Sequence, residues 1–314
     1  MAQASNSFAT FTTGTRNREL LLDKIYNVSV KDTPFLSSIE RETIDSVLPR
    51  WDCDDFAAAA SNKVEQGNIP TIAAMTGTSE YSNRTQILEK TGAVTRTQDK
   101  HRKVKPVSEY DYAVSKKMVE LKKDVEYACL QNTTAIAASA GVAPQTRGML
   151  GWVATNTSKG AGGVDPAPLT NTAQTDGTLR AFTETLFKDV LKLMHDNGAD
   201  IDGTFALIPS SQRTTFDGFL AGQTRFDVAE DKKLTAMLEI YIGPFGRVKS
   251  MNGRQMRQRE VFIVNPDFVK LGVYDPMRDT ELAKRGDARE FQINTEVALI
   301  VNNEKAHGAI RDLT

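Results

Sequence analysis

Val47-Leu48-Pro49-Arg50-Trp51-Asp52-Cys53-Asp54 alternates in character, and its reading decides the fold. Successive side chains of a strand point to opposite faces, so Val47, Pro49, Trp51 and Cys53 share one face and Arg50, Asp52 and Asp54 the other. Further on, Thr91-Gly92-Ala93-Val94-Thr95-Arg96-Thr97 is again extended in character but barely apolar. Between them runs a stretch of Ala, Ser, Asn, Gly and Thr that includes residues 57–60 and Met75-Thr76-Gly77-Thr78. Residues 46–99 therefore read as a long two-stranded arm with a loose tip. An isolated two-stranded ribbon is marginal in water, and a structureless loop of this length is unusual inside a compact domain. The missing burial is expected from another chain, a physical hint of polymerisation.

On the N-terminal side, residues 1–45 mix polar runs with a few apolar anchors, among them Leu20, Leu21, Ile25, Phe35, Leu36 and Ile39. Asp32-Thr33-Pro34 is a turn or helix-start signal, since proline suits the first helical turn. This segment reads as an arm without its own core. On the C-terminal side, 107–138 is the clearest helix. Ser108-Glu109-Tyr110-Asp111 resembles a capping signal, and Val114, Met118, Leu121, Val125 and Ala128 recur at helical spacing as one stripe. Such a helix would be about 45 to 50 Å long, a spine.

Residues 142–178 are rich in Gly, Thr, Asn and Pro and read as a long loop. A second amphipathic helix is expected over 179–197, using Phe182, Leu186, Val190 and Leu193 and stopped by Asn197-Gly198. An α/β mixture follows: a strand at Phe205-Ala206-Leu207-Ile208, a helix over 210–220, and a hairpin from 237–242 and 248–251 around Pro244-Phe245-Gly246. Strands at Val261-Phe262-Ile263-Val264, 268–274 and 291–301 complete an α+β chain.

Composition narrows the function. The 314 residues are 40% hydrophobic and 25% charged, enough apolar material for a core. Thirty-nine basic against 40 acidic residues give a formal charge of -1, without the basic surplus of a dedicated nucleic-acid binder. Cys53 and Cys129 follow no metal-ligand spacing and read as free thiols of a reducing compartment. The polar start, 1–15, is not a signal peptide, and no apolar run is long enough for a membrane span. Synthesis in the cytoplasm is expected, with no membrane partner.

Candidate chemistry is sparse. His195 is expected in a helix-end role. His101 lies in the basic run Lys100-His101-Arg102-Lys103, which reads as a solvated or inter-subunit face. His307 has no partner of recognisable spacing. Asp52, Asp54 and Asp55 could hold a cation or act as an acid/base pair, but a projecting arm is a poor place for a water-excluded site. Gly160-Ala161-Gly162-Gly163 superficially resembles a phosphate loop, yet no apolar strand precedes it and no Gly-Lys-Ser/Thr follows. No cofactor, metal or catalytic residue is assigned. A maturation enzyme would need a nucleophile with a matched base, and a nucleic-acid-binding module a basic excess.

The order of segments, arm then extended loop then spine helix then α/β part, resembles the Hong Kong 97 capsid fold of tailed-phage major head proteins. The sequence is also similar to the SU-ten-like branch of that group. The runs that carry the likeness are Asp32-Thr33-Pro34-Phe35-Leu36-Ser37-Ser38-Ile39, Trp51-Asp52, Asn83-Arg84-Thr85-Gln86-Ile87-Leu88, Val125-Glu126, Gly198-Ala199-Asp200 and Pro209-Ser210. Tyr241-Ile242-Gly243-Pro244-Phe245-Gly246, Leu282-Ala283-Lys284-Arg285-Gly286-Asp287 and Lys305-Ala306-His307-Gly308 complete the set.

The resemblance implies a major capsid protein assembling as hexamers and pentamers into an icosahedral head around double-stranded DNA. It implies an N-terminal arm (1–45), an extended loop (46–99), a spine helix with a peripheral-domain loop (100–178) and a peripheral and axial α/β region (179–314). Implied partners are identical subunits, a portal protein, a separate scaffold protein, a decoration protein and, by weak non-specific contact, packaged DNA. Candidate inter-subunit contacts are Trp51, Asp52, Asp54, Arg84, Lys100, Arg102, Lys103, Lys284 and Arg285.

Overall fold

The structure, a computed structural model, describes residues 33–54, 56, 59–70, 72, 77–100, 108–220, 240–284 and 286–314. Helix α1 (Pro34–Ser38) leads into strands β1 (Glu40–Thr43), β2 (Arg50–Cys53), β3 (Ser79–Ser82) and β4 (Gln86–Thr95). Helices α2 (Arg96–Lys100), α3 (Glu109–Gln131) and α4 (Met149–Trp152), strand β5 (Thr157–Ser158) and helix α5 (Glu184–Asp196) follow. The rest carries β6 (Phe205–Ile208), α6 (Ser210–Asp217), β7 (Ile240–Gly243), β8 (Gly246–Asn252), β9 (Val261–Val264), β10 (Val269–Glu281), β11 (Ala288–Val301) and β12 (Gly308–Ile310). The α+β class is as expected.

Two sheets organise these elements: a four-stranded one in the order β1-β10-β11-β4, and a six-stranded one in the order β5-β12-β9-β6-β8-β7. The six-stranded sheet is buried on both faces at its centre, which is why β6 and β9 read as unbroken apolar runs. Phe205 and Leu207 of β6, with Phe262 and Val264 of β9, join the core that includes α3 and the four-stranded sheet. Ala206, Ile208, Val261 and Ile263 point the other way, into a second core under α5 and α6. Alternation by one residue thus divides one sheet between two cores.

The α3 stripe is as expected: Val114, Leu121, Val125 and Ala128 are buried and Met118 packs at the margin of the same core. The helix ends at Gln131, however, not at 138, and is about 35 Å long. Asn132 turns extended and donates from Nδ2 to the Thr146 carbonyl and to Gln86 Oε1, tying the chain down where another helical turn would have begun. Residues 136–145 then form a narrow hairpin, with Gly141 at φ +79° in its turn. Helix α5 starts at Glu184, five residues later than expected at 179, because Arg180 is bridged to Leu313 and Thr183 caps the Leu186 amide. Its buried stripe is Phe187, Val190, Leu191 and Met194, while Leu193 faces outward.

The strand pairing of 46–99 also differs from the expectation. β2 pairs with β3, not with the segment around Thr91. That segment belongs to β4, which runs antiparallel along β11 for its whole length. β4 has a long partner in its own molecule, whereas β2 meets only a strand as short as itself.

The Gly160-Ala161-Gly162-Gly163 loop does hold an anion, and it comes from the same chain. Gly160 N and Gly177 N donate to opposite oxygens of the buried Asp312 carboxylate at 3.0 and 2.9 Å, and Arg259 adds an ion pair at 2.9 Å. A Cβ on Gly160 would lie 2.0 Å from the Thr178 carbonyl oxygen, so the cradle admits only glycine there.

His307 is fully buried; its Nδ1 accepts from the Asn265 amide at 3.2 Å, and burial holds its pKa down to about 3. The unfolded chain therefore binds a proton below about 6.5 that the folded chain refuses until about 3. From His307 alone, stability falls as pH drops through that window, by up to about 1.4 kcal/mol per pH unit. Denaturant titrations at pH 7 and 5 should show a smaller pH-dependent loss for His307→Gln than for the parent chain. In the larger core, Leu121→Ala should cost about 2 to 5 kcal/mol in the same titrations.

Candidate assembly interface

The expected contact residues fall into two groups at opposite ends of β4. At the first end lies the root of the extended loop. Trp51, on the inward face of β2, stacks on Trp152 of α4 at 5.4 Å, and its Nε1 donates to the Val301 carbonyl at 2.9 Å. Tyr81 from β3 packs on the same Trp152 ring at 6.0 Å. Arg147 covers Trp152 with its guanidinium, 4.6 Å from the ring centre, and burial pushes its pKa down to about 10.

Beneath this stack sits Asn83, fully buried between β3 and β4. Its Oδ1 accepts from the Arg147 and Arg84 amides at 2.8 and 2.9 Å. Its Nδ2 donates toward the Leu299 carbonyl, the Arg147 carbonyl and Thr146 Oγ1 at 2.6, 3.0 and 3.0 Å. One side chain thus joins the loop root, the segment before α4 and β11. Arg84 is half-buried at this knot. Asn83, Arg147 and Trp152 escape a sequence reading as structural partners, because nothing local distinguishes them. The run Asn83-Arg84-Thr85-Gln86 was the only signal.

Asp52 and Asp54 face solvent on the outer side of the root, beside the exposed Arg50–Glu80 ion pair at 2.9 Å. Beyond them the loop carries Phe56, Val64, Ile69 and Ile72, all strongly exposed; Phe56 and Ile72 are as open as in an extended peptide. Large apolar side chains on a projecting loop are the kind of exposure that marks a binding surface.

At the other end of β4 lies a cleft of about 220 Å³ lined by Arg96, Lys100, Tyr110, Lys284, Asp287 and Arg289, among others. Arg96 binds Asp287 at 2.6 Å and holds that carboxyl below its usual range. Arg289 lies 4.0 Å over the Tyr110 ring and grips both oxygens of Glu281 at 3.0 and 3.1 Å. Lys100 and Lys284 stand exposed at the rim. Arg102, Lys103 and Arg285 lie outside the described residues. Ten residues of β4 separate the two ends, about 30 Å of extended chain. The aspartates of the loop root and the lysines of the cleft are therefore well apart within one molecule. Among the described residues there is no His/Cys/Asp/Glu group able to hold a metal ion and no helix long and apolar enough to cross a membrane.

Comparison with known proteins bears on this geometry. Residues 4–314 match the family model described as SU10 major capsid protein. A protein of Escherichia phage Phieco32 described as a major capsid protein is 25% identical over 321 residues, 90% of each chain. Among solved structures, the capsid asymmetric unit of cyanophage A-1(L) aligns over 98% of this chain and all of that one, with a TM-score of 0.68 at 12% identity. A chain from Mycobacterium phage Bobi aligns over 98% and 99%, with a TM-score of 0.62 at 10% identity.

Asn83→Ala removes partners from several buried polar groups at once, each costing about 1 to 3 kcal/mol when left unsatisfied. Denaturant titration should show a loss of at least about 3 kcal/mol, and limited proteolysis should find residues 77–90 cut faster than in the parent chain.

Proposed function

We propose that this chain, which belongs to the SU10 major capsid protein family, closes its shell by laying residues 54–78 of each copy over a neighbouring copy. It is a phage major capsid protein, a structural subunit of the virion. One observation supports the overlap: a loop whose root is sewn into its own core carries Phe56, Val64, Ile69 and Ile72 out into solvent. Apolar side chains held away from their own body gain burial only against a second body. Extended arms also give interfaces large area without a very apolar surface.

The charges on either side of that overlap are complementary. Asp52 and Asp54 beside the loop root form an acidic edge, and Lys100 and Lys284 beside the cleft form a basic one; Arg102, Lys103 and Arg285 are further candidates of the same sign by sequence alone. Separated within a molecule, the two edges meet between molecules when the loop of one copy reaches the cleft of the next. Near-zero net charge limits repulsion among many copies. In this reading the subunits gather as hexamers and pentamers around double-stranded DNA. Trp51 and Arg84 position the loop from beneath. A separate scaffold protein, a portal and a decoration protein are the expected partners, with synthesis in the host cytoplasm. The spine is α3, the peripheral region is the four-stranded sheet, and the axial region is the six-stranded sheet with α5 and α6.

Since β2 and β3 pair Cys53 with Ser79, a short Gly-Ser turn can replace 56–77 without disturbing Asn83. This variant should keep the parent's thermal unfolding yet build no stable shells by electron microscopy; normal particles would refute the role given to the loop. Charge reversal probes the second contact. Lys284→Glu and Asp52→Lys should each lower particle yield, and combining them in one chain should recover part of it. Failure of every such combination, including those with Asp54 and Lys100, would remove the charge pairing from the interface.

A further inference from the structure

We propose that Glu126 is a charge-operated latch between the spine helix and the N-terminal arm, holding helix α1 docked while its carboxyl is neutral and loosening it once ionised. Glu126 lies near the C-terminal end of α3 with no solvent exposure, although most of its helix neighbours in the core are apolar. Its Oε2 accepts from the Leu36 amide of α1 at 3.4 Å, at the outer limit of a hydrogen bond. Its Oε1 has no hydrogen-bond partner among the described residues. One long bond, with the Phe35 amide also turned toward the carboxyl, is poor compensation for a full charge removed from water.

Among the described residues, the surroundings supply no counter-charge. From α3 itself the coupled group is the Cys129 thiol, whose pKa burial and the nearby Glu126 charge push up to about 12, so it stays neutral. Helix α1 offers Phe35 and Leu36 but no ionisable side chain. Glu40, Arg41 and Glu42 of β1 are exposed, as is Lys122 on α3. Met251, on the β8 side of the same core, is bonded to Ser38 Oγ. Burial dominates over the Leu36 and Phe35 amides and raises the Glu126 pKa from 4.5 to about 7.

The sign follows from linkage. The docked state holds the proton more tightly than the undocked one, so docking is strongest below about 4.5. It weakens as pH rises and levels off above about 7, with the undocked fraction growing up to tenfold per pH unit between. This is opposite to the effect of His307, and it is local to the arm.

Hydrogen–deuterium exchange of the purified full chain, each rate divided by that of the free peptide at the same pH, reads the latch over residues 33–43. Protection there should fall between pH 5 and 7 and stay level from 7 to 8. In Glu126→Gln it should be independent of pH. A flat profile in the parent chain, or an unchanged pH dependence in Glu126→Gln, would overturn the proposal. Should that variant not fold, infrared spectra of the parent chain with isotope-labelled glutamate decide the matter. A protonated-carboxyl band lost with a midpoint near 7 supports the latch, and its absence at pH 5.5 overturns it.

Discussion

A ribbon of two four-residue strands has almost nothing of its own to hold it in water, and the rest of the molecule is arranged around that weakness. β2 and β3 keep a fixed position because Trp51 and Tyr81 close on Trp152, which Arg147 covers in turn. Asn83 fastens the exit from the ribbon to the segment before α4 and to β11. Trp51, Tyr81 and Asn83 each make these contacts with residues far away in sequence, so the loop root is fixed only once those parts of the chain have come together.

The extent to which the sequence foretold the fold follows from how local each determinant is. The α3 stripe, the apolar runs of β6 and β9 and the β7–β8 turn are set by neighbours within a few residues, and all stand where their patterns put them. The partner of β2 was misjudged because pairing depends on which strand the fold brings alongside, and two polar extended segments were available. The end of α3 was missed because it depends on Asn132 meeting Gln86 and Thr146, contacts that periodicity does not reveal. Of the proposed contact surface, the alternation that puts Asp52 and Asp54 on the outer face of β2 was legible, and both are exposed there. The placement of the two charged edges at opposite ends of β4 was not.

β4 and β11 pair through ten consecutive positions from Gln86–Val297 to Thr95–Ala288. A long, continuously bonded pair is a stiff element, so the separation between loop root and cleft is a fixed length of the subunit. The long ladder that stabilises the four-stranded sheet thereby also fixes the spacing between the two charged edges.

The Gly160 cradle bears on the chemistry around such a shell. Its amides have the form that captures phosphate in other proteins, but they are saturated by Asp312 of the same chain, with Arg259 closing the far side. A socket already occupied by a tethered guest has an effective concentration that dissolved sulfate, phosphate or nucleic acid cannot easily match. The 160–178 turn should hold its form across buffers of very different anion content.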